Sequence, residues 1–464
     1  MRWLRLFLIG SGIVHLLLHL RHFGLDLFGF HAWRQCQTVA TAVSFYEEDF
    51  RLWYPKRDCR GNTDGLFRME FPLFQWSLGA VAKLTTLHPS SLARPATYLF
   101  FLASVGGMFL FLSTLLPREG AWLGTAAYMW SPALFYYSVT PLPDVMALAA
   151  ALWGLGLWRK RYPLAASLCL SLAVAIKIPF VLLWAFPLLE AQPEPAKLRQ
   201  VAAYLILSLG LPAVWYAYSE VWKNEGLVKG LTAHPFSWPS YLHLLYHHLF
   251  SLLPENLIGY ASVGPFLIGS YALTREKTAR WPFLGTGLLL LAYLLYELPT
   301  LGYPHDYYLF PWLPWTGWAV ARGLTQLWDS SRRGWALLFL LAAPVGAWAR
   351  MHHRWNPEKP GFNPDLLPCK PLLQQAVPDS ALVIVGLDES RFIYLYHLHK
   401  KGWCLSSLEE IPLLKQAASE GGRYLYSDSR ALDSLARPYL QEKVAECGTF
   451  RVYRLGTSSD SIAP

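Results

Sequence analysis

The chain is 464 residues long, 54% hydrophobic and only 15% charged, against roughly 25% charged residues in an ordinary soluble domain. That composition excludes a soluble enzyme, and 21 Trp with 25 Tyr suit a protein with many membrane interfaces, where both residues concentrate. The net charge of +9 lies wholly in residues 1–350, which carry 27 basic and 18 acidic side chains, whereas residues 351–464 balance at 13 and 13. Basic residues strung between apolar runs report topology, so no nucleic-acid partner is expected.

Apolar runs recur from Trp3 to Trp348. Since a hydrocarbon core of roughly 30 Å takes about 20 helical residues, they predict about 11 spans. These lie near 3–20, 95–116, 120–139, 143–158, 162–176, 179–191, 201–218, 256–273, 281–297, 306–324 and 335–350. Leu4–Leu20 lacks a small-residue cleavage site and precedes further spans, so it reads as a span and not as a removed signal peptide. With the N-terminus in the cytoplasm, the inside loops collect 14 basic residues and the outside keeps Lys177, Lys223, Lys229 and Arg350, once the long loop 21–94 is set aside as too long to obey the rule. This orientation requires Phe71–Leu87, although apolar, to return to the outer face as a membrane-surface or re-entrant helix.

The six Cys form no CxxC or zinc-like spacing, so neither a metal knuckle nor a redox motif is supported. Cys36 and Cys59 share the first loop, and Cys369, Cys404 and Cys447 share the C-terminal segment; an oxidising compartment would permit a disulfide there. After Arg350 the composition turns soluble. Strands at Ala381–Gly386, Arg423–Tyr426 and Thr449–Leu455 alternate with helices at Ser390–His399 and Ala431–Val444, which predicts a small α/β domain. The expected organisation is therefore an α-helical polytopic membrane domain over 1–350, with a large first extracytoplasmic loop, and an extracytoplasmic α/β domain over 351–464. The tail Gly456–Pro464 reads as disordered.

The first outer loop holds His31-Ala32-Trp33-Arg34-Gln35 and Arg68-Met69-Glu70-Phe71-Pro72-Leu73. A loop this long between spans needs a function, and ionisable groups at a bilayer surface either pair or serve a ligand; Arg34 and Glu70 suit both roles. Asp144, after Pro143, opens an apolar helix, where a capping acid contributes about 0.5–2 kcal/mol, yet topology also places it on the outer face. Lys177 is a lone outer cation between two spans. It suits snorkelling or a lipid phosphate. In Tyr303-Pro304-His305-Asp306-Tyr307-Tyr308, His305 and Asp306 suit an acceptor, a phosphate or a metal ion, while Tyr307 and Tyr308 alone would be interface residues. His243 and His247 share one helical face, a weak metal signal. His15 and His19 share a face of the first span, which fits polar contacts to neighbouring helices. One topology thus gathers Arg34 and Glu70, Asp144, Lys177 and His305 at one membrane face, where a lipid phosphate needs cations and an acceptor hydroxyl needs a carboxylate base.

The segments HAWRQCQT (31–38), EFPLFQW (70–76), PLPD (141–144), AIKIPF (175–180) and HDYYLFPWLP (305–314) together resemble bacterial GT-C glycosyltransferases of the protein-mannosyltransferase (family 39-like) type. Tyr394–Trp403 is similar to a segment of one branch. The resemblance covers nearly the whole chain in order. It implies a polyprenyl-phosphate-linked sugar as donor, a lipid, glycan or protein as acceptor, and transfer at the outer face of the bacterial cytoplasmic (inner) membrane among its lipids. The expected roles are Asp144 or Glu70 as catalytic base and Arg34, Lys177 and His305 on the donor phosphate. His31, Gln35, Asp306 and Tyr307 would position substrate, and a divalent metal would sit on Glu70 with His305 or Asp306. Inversion follows from the single displacement expected of such enzymes. One departure stands out: the branch with WRQ commonly has Asp where Gln37 stands, and no carboxylate lies between Phe28 and Tyr46. The base then falls to Glu70, Asp144 or the more distant Asp26. The competing classes are a flippase for a lipid-linked sugar, which predicts inverted repeats and midplane charges, and a non-catalytic membrane scaffold.

Overall fold

The computed structural model describes residues 2–191, 194–219, 237–303 and 305–456; the expectations for Lys223, Lys229 and the tail 457–464 lie outside them. In chain order the helices are α1 (Arg2–Leu20), α2 (Ala32–Glu47), α3 (Leu73–Thr85), α4 (Pro89–Ser113), α5 (Arg118–Met129), α6 (Pro132–Tyr137), α7 (Asp144–Arg159), α8 (Pro163–Ile176), α9 (Ala185–Glu190) and α10 (Pro195–Tyr218). They continue with α11 (Trp238–His247), α12 (Tyr260–Arg275), α13 (Arg280–Leu301), α14 (Leu313–Asp329), α15 (Arg333–Met351), α16 (Leu366–Gln375), α17 (Ile393–Leu398), α18 (Leu413–Ser419) and α19 (Arg430–Ala436). The strands are β1 (Leu382–Gly386), β2 (Lys401–Leu405), β3 (Tyr424–Ser427), β4 (Leu440–Cys447) and β5 (Phe450–Leu455). Two compact units result: Met1–Gly24, Arg68–Phe74 and Ala93–His353 form the first, and Leu25–Phe67, Gln75–Leu92 and Arg354–Pro464 the second.

The first unit is helical. Among the described residues five helices are long and apolar enough to cross a membrane, Trp3–Leu20, Pro89–Ser113, Pro195–Tyr218, Arg280–Leu301 and Arg333–Trp355, and a sixth crossing would be the pair Trp238–Ile258 and Tyr260–Arg275, bent by 104°. Other expected spans are interrupted: 120–139 breaks between α5 and α6, and 306–324 opens with a 3-10 turn, Asp306–Trp312. The apolar faces of α1, α5, α14 and α15 meet through Leu4, Leu123, Ala126, Val320, Leu324, Ala336 and Leu340, all buried. Where α12 crosses α14, a Cβ on Gly269 would stand 1.8 Å from the Ala319 carbonyl oxygen, and one on Gly323 1.9 Å from that of Pro265. Only glycine lets the two backbones approach so closely, the packing device of small residues common in membrane helix pairs. The helix α3, at 13 residues, is shorter than the about 20 residues a span needs.

In the second unit the strands form one sheet in the order β2-β1-β3-β5-β4. The strands β2, β1 and β3 are parallel, and β5 runs antiparallel to β3 and β4. Its core is Ile384, Leu405, Leu414, Ala417, Leu425, Leu432, Ala436 and Leu455. The expected strands at Ala381–Gly386, Arg423–Tyr426 and Thr449–Leu455 correspond to β1, β3 and β5, and Ser390–His399 contains α17. Ala431–Val444, expected as one helix, is α19 as far as Ala436 and then strand β4. Pro438 supplies no backbone N–H and ends the helix, while the Gln, Glu and Lys of β4 sit on a mostly exposed edge strand, where charged side chains discourage further pairing. Cys369 of α16 and Cys447 of β4 are joined in a disulfide, with Cα atoms 5.7 Å apart.

Candidate active site

The central pair follows from a helical hairpin. The short turn 160–162 between α7 and α8 makes the two helices antiparallel neighbours, so the first residue of α7, Asp144, and the residue that ends α8, Lys177, come to the same end. Both placements agree with the helix dipoles, an acid in a first turn and a cation at a C-terminus. Lys177 Nζ lies 3.2 Å from an Asp144 carboxylate oxygen, and the Asp144 side chain is 1% exposed. The N-cap position is taken by Pro143, and neither Asp144 oxygen has a hydrogen-bond partner of good geometry among the described residues. The capping role open to it in the sequence therefore does not account for its burial.

Two tyrosines from another part of the chain complete the surroundings of the ammonium. The 3-10 turn after His305 sets the Tyr308 ring 3.8 Å and the Tyr307 ring 5.0 Å from Lys177 Nζ, where the negative ring faces attract a cation. Asp306, 1% exposed, anchors this turn: it accepts hydrogen bonds from the Tyr137 hydroxyl at 2.6 Å and Asn256 Nδ2 at 2.9 Å. His305 is held by its Nδ1 against the Leu301 carbonyl at 2.8 Å. Asp306 and His305 thus position the tyrosines, and Tyr307 borders the ion pair.

Glu70 sits half-buried on the segment Arg68–Phe74 of the same unit. Ser219 Oγ donates to the Arg68 carbonyl and Trp215 Nε1 to that of Met69, while the Phe71 amide donates to the Ala175 carbonyl at 3.0 Å. That last bond ties the residue after Glu70 to a point two residues before Lys177, so the structure brings the Glu70 segment, Asp144, Lys177 and Tyr307 into one neighbourhood.

Arg34, His31 and Gln35 belong to the second unit. His31 precedes α2 in the left-handed conformation, Gln35 Nε2 donates to the carbonyls of Phe28 and Phe30, both at 3.1 Å, and the Arg34 guanidinium donates to Gln37 Oε1 at 2.5 Å. The side chain that replaces the missing acid is thus a neutral partner of Arg34. Gln35 fixes the turn that starts α2.

Among the described residues one group of three His, Asp or Glu side chains stands close enough to share an ion: Glu47, His88 and His399. His243 and His247 both pack on the Tyr303 ring. His15 and His19 make the expected interhelical contacts, His15 to the Tyr98 hydroxyl and His19 to Ser138. Tyr137 and Asn256 were not legible beforehand as partners of Asp306, because nothing in their own spacing points at it.

No family model matches the chain, and no curated protein matches it either. Solved structures do. ArnT from Cupriavidus metallidurans bound to undecaprenyl phosphate is similar with a TM-score of 0.67 at 12% identity, over 98% of this chain and 98% of that one. The oligosaccharyltransferase AglB from Archaeoglobus fulgidus, in complex with an inhibitory peptide and a dolichol-phosphate, is similar with a TM-score of 0.60 at 11% identity over 99% of this chain and 75% of that one. Arabinofuranosyltransferase AftD from Mycobacteria gives a TM-score of 0.60 at 13% identity over 97% and 42%. All three are GT-C glycosyltransferases. The chain therefore has the GT-C glycosyltransferase fold that its motifs resemble, and the protein-mannosyltransferase branch is not singled out within it.

Proposed function

We propose that this chain is an integral membrane glycosyltransferase that moves a sugar from a polyprenyl-phosphate-linked donor to an acceptor hydroxyl at the extracytoplasmic face of a bacterial inner membrane. The observation that carries this reading is the buried Asp144 carboxylate held against Lys177 and flanked by Tyr307 and Tyr308, in a fold whose solved examples include complexes with polyprenyl-type phosphates. In the proposed step Asp144 takes the proton of the acceptor hydroxyl as its oxygen attacks the anomeric carbon. The bond from that carbon to the phosphate oxygen breaks, and the lipid phosphate leaves with the electron pair. One displacement inverts the anomeric centre. Lys177 offsets the charge that develops on the leaving phosphate, the kind of electrostatic stabilisation that dominates such transfers.

Glu70 is the second candidate base, supported by the backbone bond that ties its segment beside Lys177. Tyr307, Asp306 and His305 shape the same neighbourhood. Arg34, His31 and Gln35 are proposed for donor and substrate contacts on their sequence resemblance. About 11 crossings are proposed, with the shorter apolar helices added to the long ones. Residues 1–350 would form the catalytic membrane domain and 351–464 an extracytoplasmic α/β domain, the N-terminus lying in the cytoplasm by the distribution of basic residues.

The test is a panel of polyprenyl-phosphate sugars offered to purified protein with candidate acceptors. Consumption of one donor with release of the lipid phosphate, lost in Asp144→Asn, supports the proposal. A lipid-linked sugar that crosses proteoliposome membranes unconsumed would replace it with the flippase reading, and neither activity with any donor would leave the scaffold.

A further inference from the structure

Outside the Asp144 site, three side chains of the second unit converge from three separate segments. Glu47 closes α2, His88 precedes α4, and His399 follows α17 in the left-handed conformation, φ 54° and ψ 45°. Their ligand atoms all lie within 4.8 Å of one another. Glu47 Oε1 is 3.2 Å from His399 Nε2 and 3.8 Å from His88 Nε2. A tetrahedral ion with bonds of about 2.0–2.1 Å separates neighbouring ligand atoms by about 3.3–3.4 Å. Two edges of this triangle are therefore close to the length a bound ion imposes.

The surroundings fit the same purpose. His88 Nδ1 is 2.8 Å from Ser90 Oγ and 3.4 Å from the Ser90 amide nitrogen, which donates to it. These contacts hold the ring with Nε2 turned toward the Glu47 carboxylate, so a cation between them would be held by both. The neighbouring charges are committed elsewhere: Glu48 pairs with Lys56, Arg60 and Lys401, and Lys400 with Asp379. The three residues also border a cavity of about 240 Å³, which gives an ion an entry path and room for a fourth ligand. Two imidazoles and one carboxylate with an open position suit zinc and its first-row neighbours better than calcium or magnesium, which prefer all-oxygen sets.

We propose that Glu47, His88 and His399 form a binding site for a divalent transition-metal cation of the zinc class. The site is independent of the transferase reading, and its test does not use activity. Chelator-treated full-length protein in detergent is titrated with Co²⁺ and then Zn²⁺. The expected result is one saturable Co²⁺ per chain with the visible bands of low-coordinate cobalt, displaced by Zn²⁺, together with a metal-dependent rise in melting temperature. Glu47→Gln and His399→Asn, the latter keeping a residue tolerant of the left-handed backbone, should each weaken binding about 10-fold or more. A His243→Asn/His247→Asn control should bind as the parent does. Absence of saturable Co²⁺ binding overturns the proposal, as does binding unchanged in Glu47→Gln and His399→Asn. Variants that alter melting equally with and without metal would also overturn it, leaving a hydrogen-bonded cluster alone.

Discussion

Asp144 and Glu48 are both carboxylates paired with lysine, but in opposite settings. Asp144 is 1% exposed and meets a single ammonium, itself bordered by two tyrosine rings. Glu48 keeps 18% of its side chain exposed and shares its oxygens among Lys56, Arg60 and Lys401. A network of accessible pairs contributes at most about 1 kcal/mol per pair and serves to tie chain segments together, here α2, the first-loop residues 56–60 and β2. A buried single pair gains little net stability, because desolvation offsets its attraction. Such a pair fits the catalytic role proposed for Asp144 better than a stabilising one.

The largest effects should come from Asp144. The Asp144→Asn variant is expected to lower turnover by about 10²–10⁴-fold, and breaking the buried pair should also cost stability, up to about 3–5 kcal/mol. Asp144→Asn with Lys177→Met removes both charges, so it should regain most of the stability and none of the activity. Thermal unfolding measured beside turnover separates the two losses. Glu48→Gln, the counterpart in the second unit, should change stability by about 1 kcal/mol or less and leave turnover near normal. Equal effects of the two substitutions on turnover would erase the contrast.

The cations give an intermediate effect. Loss of a charge-assisted hydrogen bond costs about 1.5–3 kcal/mol, or roughly 10–150-fold in affinity or rate. Lys177→Ala should show this in donor titrations, and Lys177→Arg should be tolerated because a point charge on phosphate suffices. Arg34→Lys keeps charge but loses the planar fork, so its donor dependence should weaken. If both cations alter acceptor dependence alone, the phosphate role is wrong.

The smallest effect belongs to the accessible network and depends on pH. Burial pushes the Asp58 carboxyl up from 3.8 to about 6 against the pull of Lys401 and Arg60, although part of the residue stays accessible. A carboxyl raised on folding holds its proton more tightly in the native state, so stability is lost as pH rises from 3.8 through about 6. Asp58→Asn removes that loss. It should stabilise by about 1 kcal/mol above pH 6, after allowance for solvent screening, and by nothing below pH 4. Melting curves across this range that run parallel for both proteins would show that Asp58 is not enclosed.

Much of this was readable before the fold was known. The motifs PLPD and AIKIPF flank one helical hairpin, so the parity of antiparallel helices alone puts Asp144 and Lys177 at a common end. Asp306 was legible as a polar residue at a helix entrance but not as an anchor, since its partners Tyr137 and Asn256 lie 169 and 50 residues away. The β4 segment misled because Gln, Glu and Lys favour helix locally, and only pairing with β5 across the turn at Gly448 decides for strand. Glu47 directly follows the acid-free stretch from Phe28 to Tyr46, and its partner His399 is 352 residues away. No spacing rule joins residues brought together by tertiary folding alone.

That the Asp144–Lys177 site works on a lipid phosphate is tested most directly by equilibrium binding of undecaprenyl phosphate to purified wild-type protein and to Lys177→Ala. Wild type should bind saturably, and Lys177→Ala should bind about 10–150-fold more weakly while keeping its cooperative thermal unfolding. Equal binding by the two proteins, or none by wild type, would contradict the proposed site.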